Sequence, residues 1–162
     1  MLVGVLVATA ALVAVFVRSV AGGDADPQLV GAVLAALTTL FALRVVGQLL
    51  VLARAPRFLP PMNDWNLMPY RFLLPIQFAF LVTMTLVSVA LFRGGSAEDA
   101  PALAGRAAIA FAAVYAAAMV VRYAVRMSRR PGERWFGGTI PIVFHLVLAA
   151  FVFVLGGFYA WD

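Results

Sequence analysis

The sequence predicts an all-α, polytopic membrane protein, a five-transmembrane-helix bundle with a proline-rich interfacial or re-entrant loop between helices 2 and 3. Three observations predict it. Hydrophobic residues make up 65% of the 162-residue chain and charged residues only 12%, whereas a soluble domain carries about 25% charged residues. The apolar residues gather in five runs, each close to the roughly 20 residues that a helix needs to cross hydrocarbon. The arginines stand almost entirely at the ends of those runs, as membrane topology requires. The whole chain, 1–162, reads as a single integral membrane domain with spans at about 2–20, 28–54, 72–92, 102–125 and 139–161.

Each span has its own punctuation. The first, Leu2–Val20, is interrupted late by Arg18 and ends on Ser19-Val20-Ala21, which resembles a signal-peptide cleavage site. It lacks a positive n-region, so the expectation is a retained helix. The second opens on Asp26-Pro27, an N-cap followed by proline at the first helical position. Its early Gly31 and Ala35 are small residues at a spacing that suits close helix packing. The third carries Pro75 near its start, where a missing N–H does little harm. The fourth follows Asp99-Ala100-Pro101 and holds Ala104, Ala108, Ala112 and Ala116 at every fourth position, a predicted packing stripe. The fifth opens with Thr139 and Pro141, and its Tyr159 and Trp161 suit an interface. Gly22-Gly23, Gly94-Gly95 and Gly137-Gly138 mark breaks between spans.

The arginines set an orientation. All twelve basic residues are Arg, and the formal net charge is +5. The turns after spans two and four, with their flanks, hold Arg54, Arg57, Arg71, Arg122, Arg126, Arg129, Arg130 and Arg134. The other side holds Arg18, Arg93 and Arg106. The positive-inside rule then places the N-terminus in the cytoplasm and the C-terminus outside. The all-arginine, Ala/Val/Leu/Gly-rich composition points to a GC-rich bacterium and hence to an inner membrane. Nucleic acid is not an expected partner, because the basic residues are explained by topology.

Absences exclude several chemistries. With no cysteine, disulfides, thiolate nucleophiles, iron–sulfur clusters and cysteine zinc sites are ruled out. One histidine cannot build a tetrahedral zinc site. No carboxylate falls inside a span, so the usual proton or sodium relay is lacking. No P-loop or nucleophile elbow occurs.

What stands out is Arg44, deep in the second apolar run. A guanidinium in hydrocarbon is expensive and reads by default as functional. It lies ten residues from Arg54, roughly 15 Å from the cytoplasmic end by helix rise. Gln48 shares its face one turn on. Gln77 lies six residues past Arg71 and His145 six past Thr139, each about 9 Å deep. Thr85 and Ser88 are expected to continue the Gln77 face outward. Tyr115, Met119, Arg122 and Arg126 form a stripe on span four, with Tyr123 beside it. Polar groups in lipid must face inward and find partners, so these faces should converge on a basic pocket in the cytoplasmic half. The loop over 55–70 carries four prolines at 56, 60, 61 and 69 and apolar residues including Phe58, Leu59 and Trp65. It should lie against the bundle, with Asp64 the first candidate partner of Arg44.

The expected function is the binding of a lipid, quinone or similar amphiphile in that pocket, by an accessory or assembly subunit of a larger membrane complex. Arg44 and Arg122 would clamp an anion, Gln48, Gln77 and His145 would orient it as donors, and Trp65 would close the lid. No catalytic residue and no metal ligand is assigned, and the one cofactor class in view is a bound lipid or quinone. Expected partners are membrane lipids and a homo-oligomer or larger membrane complex. Two alternatives stay open: a small homo-oligomeric transporter or channel, and an intramembrane enzyme using His145 as its base.

Overall fold

The computed structural model describes residues 1–23, 26–54, 56–61, 70–94, 101–130 and 139–161. Among them are five α-helices and no strand: α1 (Leu2–Ala21), α2 (Pro27–Arg54), α3 (Tyr70–Phe92), α4 (Ala102–Arg129) and α5 (Thr139–Trp161). Every helix is long and apolar enough to cross a membrane, with mean hydropathy of 1.8 to 2.4 over its candidate span. The shortest, at 20 residues, reaches about 30 Å, the thickness of bilayer hydrocarbon. Each falls on an expected span. Helix α4 runs one turn further than expected, past Val125 to Arg129, because nothing in Arg126–Arg129 breaks a helix and basic residues suit a helix C-terminus.

The helix ends obey local rules. The carboxylate of Asp26 accepts the backbone N–H of Gln28 at 3.0 Å, so the Asp-Pro pair does cap α2. Helices α1 and α3 are followed by Gly23 and Gly94 at φ of 83° and 78°, the left-handed conformation that glycine adopts without a Cβ penalty.

Helices α2 and α5 form the centre. The buried positions of α2 include Val30, Leu34, Leu37, Phe41, Arg44, Gln48 and Val51, alternately four and three residues apart. This is the seam of a left-handed helix pair. Helix α5 is buried along nearly its whole length, from Thr139 to Phe158. Helix α3 packs on α2, α4 packs on α5, and α1 lies in the cleft between α2 and α5. The outer helices present Phe72, Phe78, Phe80, Leu86, Phe111 and Val114 to the surroundings. On a soluble protein that surface would be an aggregation hazard; in a membrane it faces acyl chains.

Small residues set the closest approaches. A Cβ on Gly31 would stand 2.3 Å from the Phe92 backbone nitrogen, and one on Gly105 would stand 2.7 Å from the backbone of Gly156 and Ala160. Gly156 in turn lies against Ala108 and the Gly105 carbonyl. The α4 stripe is therefore Gly105, Ala108 and Ala112. Ala104 is exposed, as is Ala35 on α2, which corrects the expectation for both. On α4, spacing alone found Ala108 and Ala112 and missed the first member of the stripe by one position.

Candidate functional site

Helices α2 and α3 run antiparallel, and their register is visible in three contacts. Gly31 meets Phe92, Thr38 meets Ser88 at 3.3 Å, and Gln77 Nε2 donates to Gln48 Oε1 at 3.1 Å. The inward face of α3 is thus Gln77, Met84, Ser88 and Leu91, again at seam spacing. Ser88 lies on it, whereas Thr85 is exposed and flanks a groove on the outer surface of the α2–α3 pair. The expected Gln77–Thr85–Ser88 face therefore loses its middle member, since Thr85 is rotated by about 100° from Met84 on the seam.

The two polar pairs differ in what they leave available. Thr38 and Ser88 each donate their single hydroxyl proton to a carbonyl four residues back, those of Leu34 at 2.8 Å and Met84 at 2.7 Å. Both hydroxyls are satisfied locally and serve as a contact between helices. Gln48 is 0% exposed and Gln77 is 3% exposed. Among the described residues, no group donates to Oε1 of Gln77.

Arg44 lies on the same seam, one turn from Gln48, and is 5% exposed. Its guanidinium carbon sits 5.9 Å from the centre of the Phe144 ring on α5, within reach of a cation–π attraction worth about 2 kcal/mol when desolvated. The next residue, His145, turns toward α4. Its ring lies 5.9 Å from that of Tyr115 in a tilted arrangement, and its Nδ1 is hydrogen-bonded to the Pro141 carbonyl. A carbonyl oxygen only accepts, so Nδ1 carries the proton. Nε2 is then an acceptor in the neutral ring and a donor only in the protonated one. The expectation that His145 orients a ligand as a donor therefore holds only for the imidazolium. Both Arg44 and Arg122 lie within electrostatic reach of His145, and Arg122 within reach of Tyr115.

Four helices thus bring polar groups to one end of the bundle. Gln48 and Gln77 are bonded, Arg44 is tied through Phe144 to the helix that carries His145, and Arg122 stands exposed at the rim. The loop after α2 begins with a turn in which the Leu59 N–H donates to the Pro56 carbonyl at 3.1 Å. Leu59 packs against the apolar core and Phe58 projects outward. Asp64 and Trp65 lie outside the described residues. Phe144, which sequence reasoning did not place in the site, belongs to its geometry, and Tyr115, expected on the polar stripe of span four, joins it at the His145 ring. Phe144 could have been found by its phase, since it follows Ile140 by one turn on the apolar face of α5. No group of three or more His, Cys, Asp or Glu side chains that could hold a metal occurs among the described residues.

Compared with models of protein families, with curated proteins and with solved structures, the chain matches none.

Proposed function

We propose that this protein holds the polar head of a membrane amphiphile, foremost a lipid phosphate, at the cluster of Arg44, His145 and Arg122. It would do so as a non-catalytic subunit of a larger complex in a bacterial inner membrane, with the arginine-rich end in the cytoplasm. The single observation that carries this is the placement of Arg44. It is buried on the helix seam, with its guanidinium against the ring of Phe144, the residue that precedes His145. A guanidinium held in the membrane interior favours a negatively charged guest, because its planar fork matches phosphate oxygens. Gln48 and Gln77 brace the helices beside it.

Binding is favoured over transport by the opposite half of the bundle. There the described α2–α3 seam offers Thr38 and Ser88, both satisfied by their own helices. A neutral His145 with its proton on Nδ1 also suits a ligand hydroxyl, which makes a quinol head the second reading.

The test is native mass spectrometry of the gently solubilised protein and its Arg44→Leu variant. The expected result is an anionic lipid retained by the former and lost by the latter. Equal retention of the same lipid by both would overturn the clamp.

A further inference from the structure

Helix α3 packs on α2 and α4 on α5, and between their flanks runs a furrow floored by α5. It encloses about 360 Å³. Aromatic rings wall it: Phe80 from α3, Phe111 and Tyr115 from α4, and Phe151 from α5, with Leu148 and Val152 along the floor. Phe111 and Tyr115 stack on each other at 5.7 Å. Among the described residues, none that lines the furrow is charged. From Leu148 to Leu155 it follows α5 for about 10 Å by helix rise. Apolar walls of this kind exclude water, and a furrow that opens on the bilayer takes up hydrocarbon.

One end of the furrow is polar. Tyr115 lines the furrow, and its ring stands 5.9 Å from that of His145, which precedes Leu148 by one turn of α5. Nδ1 of His145 donates its proton to the Pro141 carbonyl, so Nε2 of the neutral ring is an acceptor. Among the described residues, neither Nε2 nor the Tyr115 hydroxyl has a hydrogen-bond partner. The pair therefore offers an acceptor beside a group that both donates and accepts. A hydroxyl on a guest answers both, giving its proton to Nε2 and accepting that of Tyr115. A carbonyl or ether oxygen only accepts, and answers Tyr115 alone. Depth bears on the charge of the guest. Tyr115 lies midway along α4, about 20 Å from either end by helix rise, where a charge is expensive to hold.

Resting on the amphiphile reading in its hydroxyl form rather than on the arginine clamp, we infer that the furrow seats an uncharged, hydroxyl-headed membrane lipid. Its hydroxyl lies between His145 and Tyr115, and its chain runs along Phe151 and Val152. Arg44, which faces Phe144, takes no part. A quinol and a prenyl alcohol share this chemistry.

The experiment uses the full chain in phosphatidylcholine nanodiscs with a dodecanol bearing a diazirine midway along its chain, and with the methyl ether of that alcohol. After irradiation, labelled peptides are mapped by mass spectrometry. The alcohol should label Phe151 and Val152, and the ether, which has no proton for Nε2, about threefold less or lower still. Tyr115→Phe removes one oxygen and keeps the ring, and should cost the alcohol about as much. Val152→Trp should fill the furrow and lower labelling about tenfold or more; should it fail to fold, Tyr115→Phe and the ether carry the test. In His145→Phe the alcohol and the ether should label alike. Excess decyl hydroquinone or excess farnesol should displace the probe, and the more effective of the two names the source. Displacement by neither, or equal labelling by alcohol and ether in the unaltered protein, overturns the hydroxyl class. Full labelling of Tyr115→Phe overturns the place of the head. Labels at Val120 and Leu146 instead, in the apolar clefts between α1, α4 and α5, overturn the furrow. Arg44→Leu should keep the furrow labels even as it loses an anionic lipid. Loss of both puts the hydroxyl at the clamp and overturns the furrow seat, whereas loss of neither refutes the clamp alone.

Discussion

At the scale of single residues, Arg44 occupies a position that its helix would fill with leucine. Its neighbours along the α2 seam are Leu37, Phe41, Gln48 and Val51. A charge that serves only structure should be missed when removed, whereas one retained for a guest should not. Removing a buried guanidinium recovers a desolvation cost of several kcal/mol, which its structural contacts must outweigh if they alone retain it. Arg44→Leu is therefore expected to keep or raise the melting temperature of delipidated protein in detergent, while lowering affinity for an anionic amphiphile at least tenfold. A large drop in melting temperature would make Arg44 a structural residue. Arg44→Lys keeps charge without the planar fork and should fall between the two in binding. The amide pair behaves oppositely. Gln77→Leu removes the bond to Gln48 and should destabilise by about 0.6–2 kcal/mol, the range of interhelical hydrogen bonds in membranes. Adding Gln48→Leu should restore part of that loss, since replacing both partners is nearly neutral; thermal unfolding of the two single variants and the double variant checks it.

At the scale of helices, the packing of α4 rests on absent side chains. Gly105 and Gly156 let the two backbones approach until a Cβ on either has no room. Gly105→Val should lower stability by about 1–3 kcal/mol through overpacking, whereas Ala104→Val, one position away and exposed, should stay within about 0.5 kcal/mol. Unfolding curves in detergent compare them directly. This pair also marks where sequence reading ends. Five spans, the Asp26 cap of α2 and the glycines that follow α1 and α3 were legible, because hydropathy, proline and glycine act locally. The rotation of each helix about its axis was not, because in lipid both faces of a span are apolar and periodicity carries little phase. Hence Ala104 stood in for Gly105, and Thr85 was placed with Ser88. Where polar residues interrupted the pattern, as at Arg44, Gln48, Gln77 and His145, the inward face was readable, since a polar group in hydrocarbon has nowhere else to turn. Which of them pair, and that aromatic Phe144 joins them, depends on the antiparallel register of whole helices.

At the scale of the molecule, the cysteine-free chain makes topology directly measurable. Single cysteines at Arg57, Arg129 and Arg93 should divide by side, with the first two reached by a membrane-impermeant maleimide from the cytoplasm and the third from outside. A reversed pattern would turn the binding cluster toward the exterior. The central place of α5 has a further consequence, for biogenesis. It is the last of the five helices to leave the ribosome, yet α1, α2 and α4 all lean on it. Until it is synthesised, the guanidinium of Arg44 lacks its aromatic neighbour and the glycine face of α4 has nothing to grip. The nascent chain must therefore wait in the membrane as a loose set of inserted segments, and a ribosome that stalls before Thr139 leaves a product that quality-control proteases should clear quickly.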